Sequence, residues 1–312
     1  MIFHRELIFL LSSLFLFHLI GCKDKISSDD EIKLRISKIE RLIGFNNLDS
    51  VKVSTDSLIK AFRLTQSVPS DSVKTRFFIK VLDKAIKLDN DSLVHRAAKE
   101  AFNLSHKLND TISKASASWS YGNFYKKKAV MDSAYWYYYQ AFKYYQSVNL
   151  PIYSGRMLYN MANVQWRQGD YTGSEINTFK AISRLKPLEY SKGLYLCSNH
   201  LGVLYMGMGE FDRSLRFHFQ ALDYAKELHS DTEIYKKISF NNIGNLLREQ
   251  EKYKKAVIYY KKSLKDINDS NNLVYARRID NLSYTRFLNG DSTGIIEGFT
   301  KAFKIMESIC LL

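Results

Sequence analysis

Seven times along this chain an Ala or Ser followed by a large apolar residue recurs at a nearly constant interval. The pairs are Ala61-Phe62, Ala101-Phe102, Ala141-Phe142, Ala181-Ile182, Ala221-Leu222, Ser263-Leu264 and Ala302-Phe303, separated by 40, 40, 40, 40, 42 and 39 residues. A period of this length marks stacked supersecondary units, none of which can bury its apolar face alone. A length of 312 residues would otherwise suggest two globular domains, but stacked units grow by adding layers and escape that count. Three prolines and 14 glycines leave little material for turns, which favours long helices over strands.

Each well-formed unit opens with a helix centred on a small residue: Gly122, Ala162, Gly202, Gly244 and Ser283. Twelve positions later comes a second small residue (Ala134, Ser174, Ser214, Ala256), with Ile295 departing from the pattern. Gly169-Asp170, Gly207-Met208-Gly209 and Gly290-Asp291 mark turns between the two helices, and an aromatic follows at Tyr171, Phe211 and Tyr253. Glycine inside a helix costs about 1 kcal/mol relative to Ala, so its recurrence at one position implies close helix packing. These features resemble the tetratricopeptide repeat in an elongated form of about 40 residues. The resemblance implies an all-α, right-handed solenoid of about seven antiparallel helix pairs. It is well formed over 115–312 and degenerate over 45–114, where Leu82 replaces the small residue.

The first 21 residues read as a leader. Arg5 precedes a nearly apolar run from Leu7 to Ile20, too short for a bilayer that needs about 20 residues but suited to a secretory signal. Leu19-Ile20-Gly21-Cys22 resembles the lipobox of bacterial lipoproteins, which implies a diacylated Cys22 and anchoring to a membrane, the outer membrane by preference. Residues 22–44 are then expected to be a polar tether that ends in a short helix. Of the remaining cysteines, Cys197 is expected in a helix core, and no disulfide framework is present.

The resemblance also places candidate ligand contacts. The residue after the small one in the first helix points into the concave groove of such repeats, here Asn123, Asn163, Val203 and Asn245. Asn199 and Asn241 lie one turn earlier on the same face, and Lys126, Arg167 and Arg248 follow at three or four residues. Asn both donates and accepts, so a row of it can pair with an extended peptide, and nearby cations suit a carboxylate. Asn123 and Asn163 resemble part of a carboxylate clamp, although Trp119 stands where that clamp has Lys.

Other patterns carry less. The run Tyr135-Trp136-Tyr137-Tyr138-Tyr139 cannot form one stacking platform, since consecutive helical residues diverge. Gly290-Asp291-Ser292-Thr293-Gly294 has the G-x-S-x-G form but falls at an expected inter-helix turn rather than after a strand. The histidines show no metal-ligand spacing, and no cofactor motif or catalytic constellation is present. The net charge of +14 is spread over amphipathic helices of an exported chain, which argues against a nucleic-acid partner. The expected role is therefore a non-enzymatic, lipid-anchored scaffold or adaptor for a protein or peptide. A detached sensory input module and a glycan-binding uptake lipoprotein are the alternatives.

Overall fold

The computed structural model describes residues 28–44, 53–229, 232–265, 272–292 and 294–310; the leader and Cys22 lie outside them. Among the described residues the chain is all-α, with no strand. It divides into two compact units, at Ser113 and Lys114.

The first unit holds α1 (Ser28–Leu42), α2 (Thr55–Gln66), α3 (Asp71–Lys87) and α4 (Asp91–Lys107). Most of the expected tether is thus helical, and it is more than a tether. Ile39 and Ile43 are fully buried, and α1 packs on α2. The cause is in the spacing: Ile32, Ile36, Ile39 and Ile43 recur at intervals of four and three, one apolar stripe of a helix.

The second unit contains α5 (Thr111–Lys127, from Lys114 onward), α6 (Met131–Ser147), α7 (Pro151–Arg167), α8 (Tyr171–Leu185), α9 (Ser191–Gly207), α10 (Phe211–Lys226), α11 (Thr232–Glu249), α12 (Tyr253–Leu264), α13 (Leu273–Leu288) and α14 (Ile295–Cys310). Odd-numbered helices carry the small residue of each repeat and form one layer; even-numbered helices form the other. In the odd layer α7 packs on α9, α9 on α11 and α11 on α13. The even helices approach one another less closely, so the odd layer lies on the inside of the curve.

The turns share one geometry. Asp89, Asn109, Ala129, Asn149, Gly169, Glu189, Gly209, His229 and Glu251 all have left-handed backbones, with φ between 41° and 81°. In each turn from Asp89 to Gly209 the next N–H reaches back five residues, as in Asp110 N to Ser105 O at 2.9 Å and Val130 N to Tyr125 O at 2.9 Å. This is the Schellman closure of a helix C-terminus. The half-period is therefore 20 residues, a 17-residue helix plus three. Side chains other than Gly pay about 1–2 kcal/mol for this backbone. Ala129→Gly is accordingly expected to stabilise the protein by about 0.5–1 kcal/mol after the entropy of the more flexible unfolded chain is subtracted, readable as a raised urea midpoint.

The recurring glycines make room for side chains rather than for another backbone. A Cβ on Gly122 would lie 2.7 Å from Cδ1 of Tyr138, one on Gly244 2.8 Å from Cε1 of Tyr260, and one on Gly202 2.5 Å from the His218 ring. Each of these partners lies sixteen residues on, in the next helix. Where that residue is the smaller Thr178, the first helix carries Ala162; where it is Ala98, the first helix carries Leu82. All four side chains are buried. Leu82 is therefore not a decayed position: the volume has moved across the helix pair, with total packing kept. In the last pair the roles reverse, and Gly298 of α14 faces Ser283.

Candidate functional site

The inner layer carries the sequence-predicted residues, all half-buried except the exposed Arg167. Their amides are partly engaged within the fold. Tyr138 donates its hydroxyl to Asn123 Oδ1 at 2.8 Å, and Tyr260 does the same to Asn245 at 2.8 Å. Asn163 Nδ2 donates to the Tyr159 carbonyl of its own helix at 2.9 Å. Asn242 donates to Asn199 at 2.8 Å, Asn281 donates to Asn241 at 3.3 Å, and Arg248 donates to Asn281 at 3.2 Å. The result is an amide ladder across α9, α11 and α13. Asn242 and Asn281 were not singled out from sequence, although Asn281 lies 39 residues after Asn242, the interval between Gly244 and Ser283, and so occupies the same repeat position.

The cations fall into two groups. Arg248 belongs to the ladder, over the Tyr284 ring at 5.7 Å. Lys126 and Arg167, from the consecutive odd helices α5 and α7, are near enough for the Arg167 charge to act on both Lys126 and Tyr138. The Lys126 ammonium lies 6.0 Å from the Tyr138 ring centroid. Its pKa is held below the usual lysine range, first by burial and then by the neighbouring Arg167. Among the described residues neither has a carboxylate partner. Two cations sharing a site without a counter-charge repel one another, and an anion placed between them relieves that cost.

The aromatic run of α6 is distributed around the helix. Tyr138 is buried in the core with Tyr145, and Tyr137 stacks on Tyr125 at 5.4 Å. Tyr135, Trp136 and Tyr139 do converge on one outer cleft with Asp132, Gln165, Gln168 and Asp170. The run as a whole thus forms no single platform, while these three share one cleft. Residues i, i+1 and i+4 span only a third of a helix turn, which is how they share the cleft.

Gly290 and Asp291 form the α13–α14 turn, with Gly290 at φ 75° and Asp291 N bonded to Arg286 O at 3.0 Å. The segment follows a helix; Thr293 lies outside the described residues. Cys197 is buried in the core among Leu158, Ala181, Leu185 and Leu194, and burial pushes its thiol up to about 12, as expected of a packing residue. No group of His, Cys, Asp and Glu suited to a metal ion occurs among the described residues. No helix among them is long and apolar enough to cross a membrane.

Comparison with known proteins places this architecture. Residues 194–266, from α9 to α12, match the tetratricopeptide repeat model. No curated protein sequence matches the chain. Solved structures of the same fold include a signal transduction ATPase with a tetratricopeptide repeat sensor from Pyrococcus horikoshii (14% identity, TM-score 0.69), which covers 91% of this chain; this chain spans only 44% of that protein. NprR in complex with its cognate peptide NprX has 14% identity and a TM-score of 0.59, covering 90% of this chain and 79% of its own. Aspartyl phosphate phosphatase F from Bacillus subtilis has 13% identity and a TM-score of 0.66, covering 94% and 75%. Identities this low establish fold alone. With the repeat matched over residues 194–266 and the same helix pair recurring on both sides of that stretch, the chain is an all-α tetratricopeptide-repeat solenoid.

Proposed function

We propose that this protein is a binding adaptor of the bacterial cell envelope, tethered through a lipidated Cys22 at the outer membrane, whose inner layer holds a peptide segment. The observation that carries the reading is the pairing of Lys126 and Arg167 without a carboxylate. A peptide carboxylate, from a side chain or a C-terminus, supplies the missing charge, and the free donors of the Asn row pair with its backbone. Solenoids of this kind expose an extended inner surface suited to such a ligand, and NprR is a structural neighbour captured with a peptide. The leader and the Leu19–Cys22 motif support the tether, because acyl chains contribute about 0.8 kcal/mol per buried CH₂. A sensory role would use the same groove, and the neighbour described as a repeat sensor makes it the second reading.

Crosslinking in membranes followed by mass spectrometry tests the adaptor. One envelope protein is expected to co-purify, and the joint change Lys126→Ala and Arg167→Ala should weaken its capture about 10–100-fold, as loss of charge-assisted bonds worth about 1.5–3 kcal/mol requires. Cys22→Ala should move the chain to the soluble fraction. A partner retained at full strength by the double variant would sink the groove reading, and a Cys22→Ala protein still held in membranes would sink the lipid tether.

A further inference from the structure

A second binding surface lies on the opposite layer and does not rest on the groove reading. Between α6 and α8 the outer face opens into a cleft of about 430 Å³. One wall is Tyr139, Phe142 and Gln146 of α6, the other is Lys180 and Arg184 of α8, and Leu158 and Met161 of α7 lie beneath. Exposed apolar side chains continue this face at the repeat period. Tyr139, Phe179 and Phe219 stand 40 residues apart and are 41%, 41% and 39% exposed. Trp136 and Ile176, also 40 apart, are 53% and 48% exposed. Burial elsewhere in the repeat explains the small residues and the core aromatics, but it does not explain large apolar side chains kept in solvent at one position of three successive units. Such rows mark interaction surfaces.

Charge decides the occupant. Arg184 lies over the Phe142 ring at 5.2 Å and donates to Ser154 Oγ at 3.4 Å. The Lys180 ammonium has no partner at all among the described residues, and no acidic side chain lines this cleft. Two cations above an aromatic and aliphatic floor are complementary to a carboxylate adjoining an apolar side chain. The geometry points to an acidic peptide segment as the ligand of this outer cleft, its carboxylates on Lys180 and Arg184 and its apolar side chains against Tyr139, Phe142 and Met161.

The test uses the full chain and a fluorescein-labelled hexapeptide, Glu-Leu-Glu-Phe-Glu-Leu, acetylated and amidated at its ends, read by fluorescence anisotropy. Binding is expected for this peptide and at least tenfold weaker for its Gln-for-Glu analogue. The pair Lys180→Glu and Arg184→Glu should weaken it at least tenfold, and Tyr139→Ala should weaken it severalfold. Circular dichroism should remain unchanged, because none of these side chains is buried in the core. In the Lys126→Ala and Arg167→Ala background, which removes the carboxylate contact proposed for the inner groove, the Lys180→Glu and Arg184→Glu pair should still weaken binding at least tenfold. Equal affinity for the Gln analogue, or undiminished binding by the Lys180/Arg184 variant, would overturn the proposal. Loss confined to the Lys126/Arg167 variant would assign the peptide to the inner groove instead and equally overturn it. If the peptide fails to bind while phosphatidylglycerol vesicles bind and are released by the Lys180/Arg184 change, the face belongs to a membrane and the peptide assignment falls.

Discussion

Acidification from pH 7 to pH 4 is expected to cost this fold about 3 kcal/mol for each of two buried histidines. His218 is fully buried, and neither ring nitrogen has a hydrogen-bond partner. His200 is nearly buried and has one partner, Ser174 Oγ at 2.8 Å from Nε2. Burial pushes both pKa values down to about 4 from 6.5, since a charged imidazolium loses its hydration there. The unfolded chain therefore takes up protons below about pH 6.5 while the folded chain stays neutral until about pH 4. Stability falls across that window and levels off beneath it, and a difference of about 2.5 pKa units at 1.36 kcal/mol each gives the magnitude. Carboxylates titrate in the same range, so the decisive comparison is internal. His218 stands where Tyr138 and Tyr260 stand in other repeats, and Val203 stands where those tyrosines find Asn123 and Asn245. His218→Tyr with Val203→Asn should restore that pair and remove about half of the histidine contribution. Urea titrations at pH 7.5, 5.5 and 4 measure it. Identical pH slopes for the wild type and the double variant would show that His218 is not titrating as argued.

The repeat was legible because small residues at fixed intervals are visible in one dimension, and helix pairs, turns and the burial of Cys197 follow from them. What the small residues face was not legible. Gly122 and Tyr138 are sixteen positions apart in different helices, and only folding shows that one vacates space for the other. The same blindness made Leu82 look degenerate, since its compensating Ala98 carries no signal of its own. Turns at Gly169, Gly209 and Gly290 were readable, whereas identical turns at Ala129, Asn149 and Glu189 were not, because nothing in those residue types demands a left-handed backbone. For the candidate site, the sequence located the Asn row and its cations. It could not show that Asn123 and Asn245 already accept bonds from Tyr138 and Tyr260, nor that the Arg167 charge acts on Lys126 from a different helix.

The volume exchange between paired helices makes the sign of a Gly→Ala substitution depend on its partner. In the wild type, Gly244→Ala places a methyl 2.8 Å from the Tyr260 ring. That ring is fully buried and held by its bond to Asn245 at 2.8 Å, so it cannot swing away. Overpacking of this kind costs about 1–3 kcal/mol, which outweighs the gain of about 1 kcal/mol in helix propensity. Tyr260→Thr alone should be far worse, about 3–5 kcal/mol, because a large aromatic is removed from a packed core and Gly244 cannot fill the space. Combined, the two changes reproduce the Ala162 and Thr178 pair found two repeats earlier. The methyl then enters the vacated volume, and Gly244→Ala should become stabilising by about 1 kcal/mol in the Tyr260→Thr background. A double-mutant cycle by chemical denaturation is expected to give a coupling of about 2–3 kcal/mol. The parallel cycle on Gly122 and Tyr138 should give the same sign. Additive effects in both cycles would mean that the glycines serve backbone approach, and that the sixteen-residue pairing of small with large is coincidental.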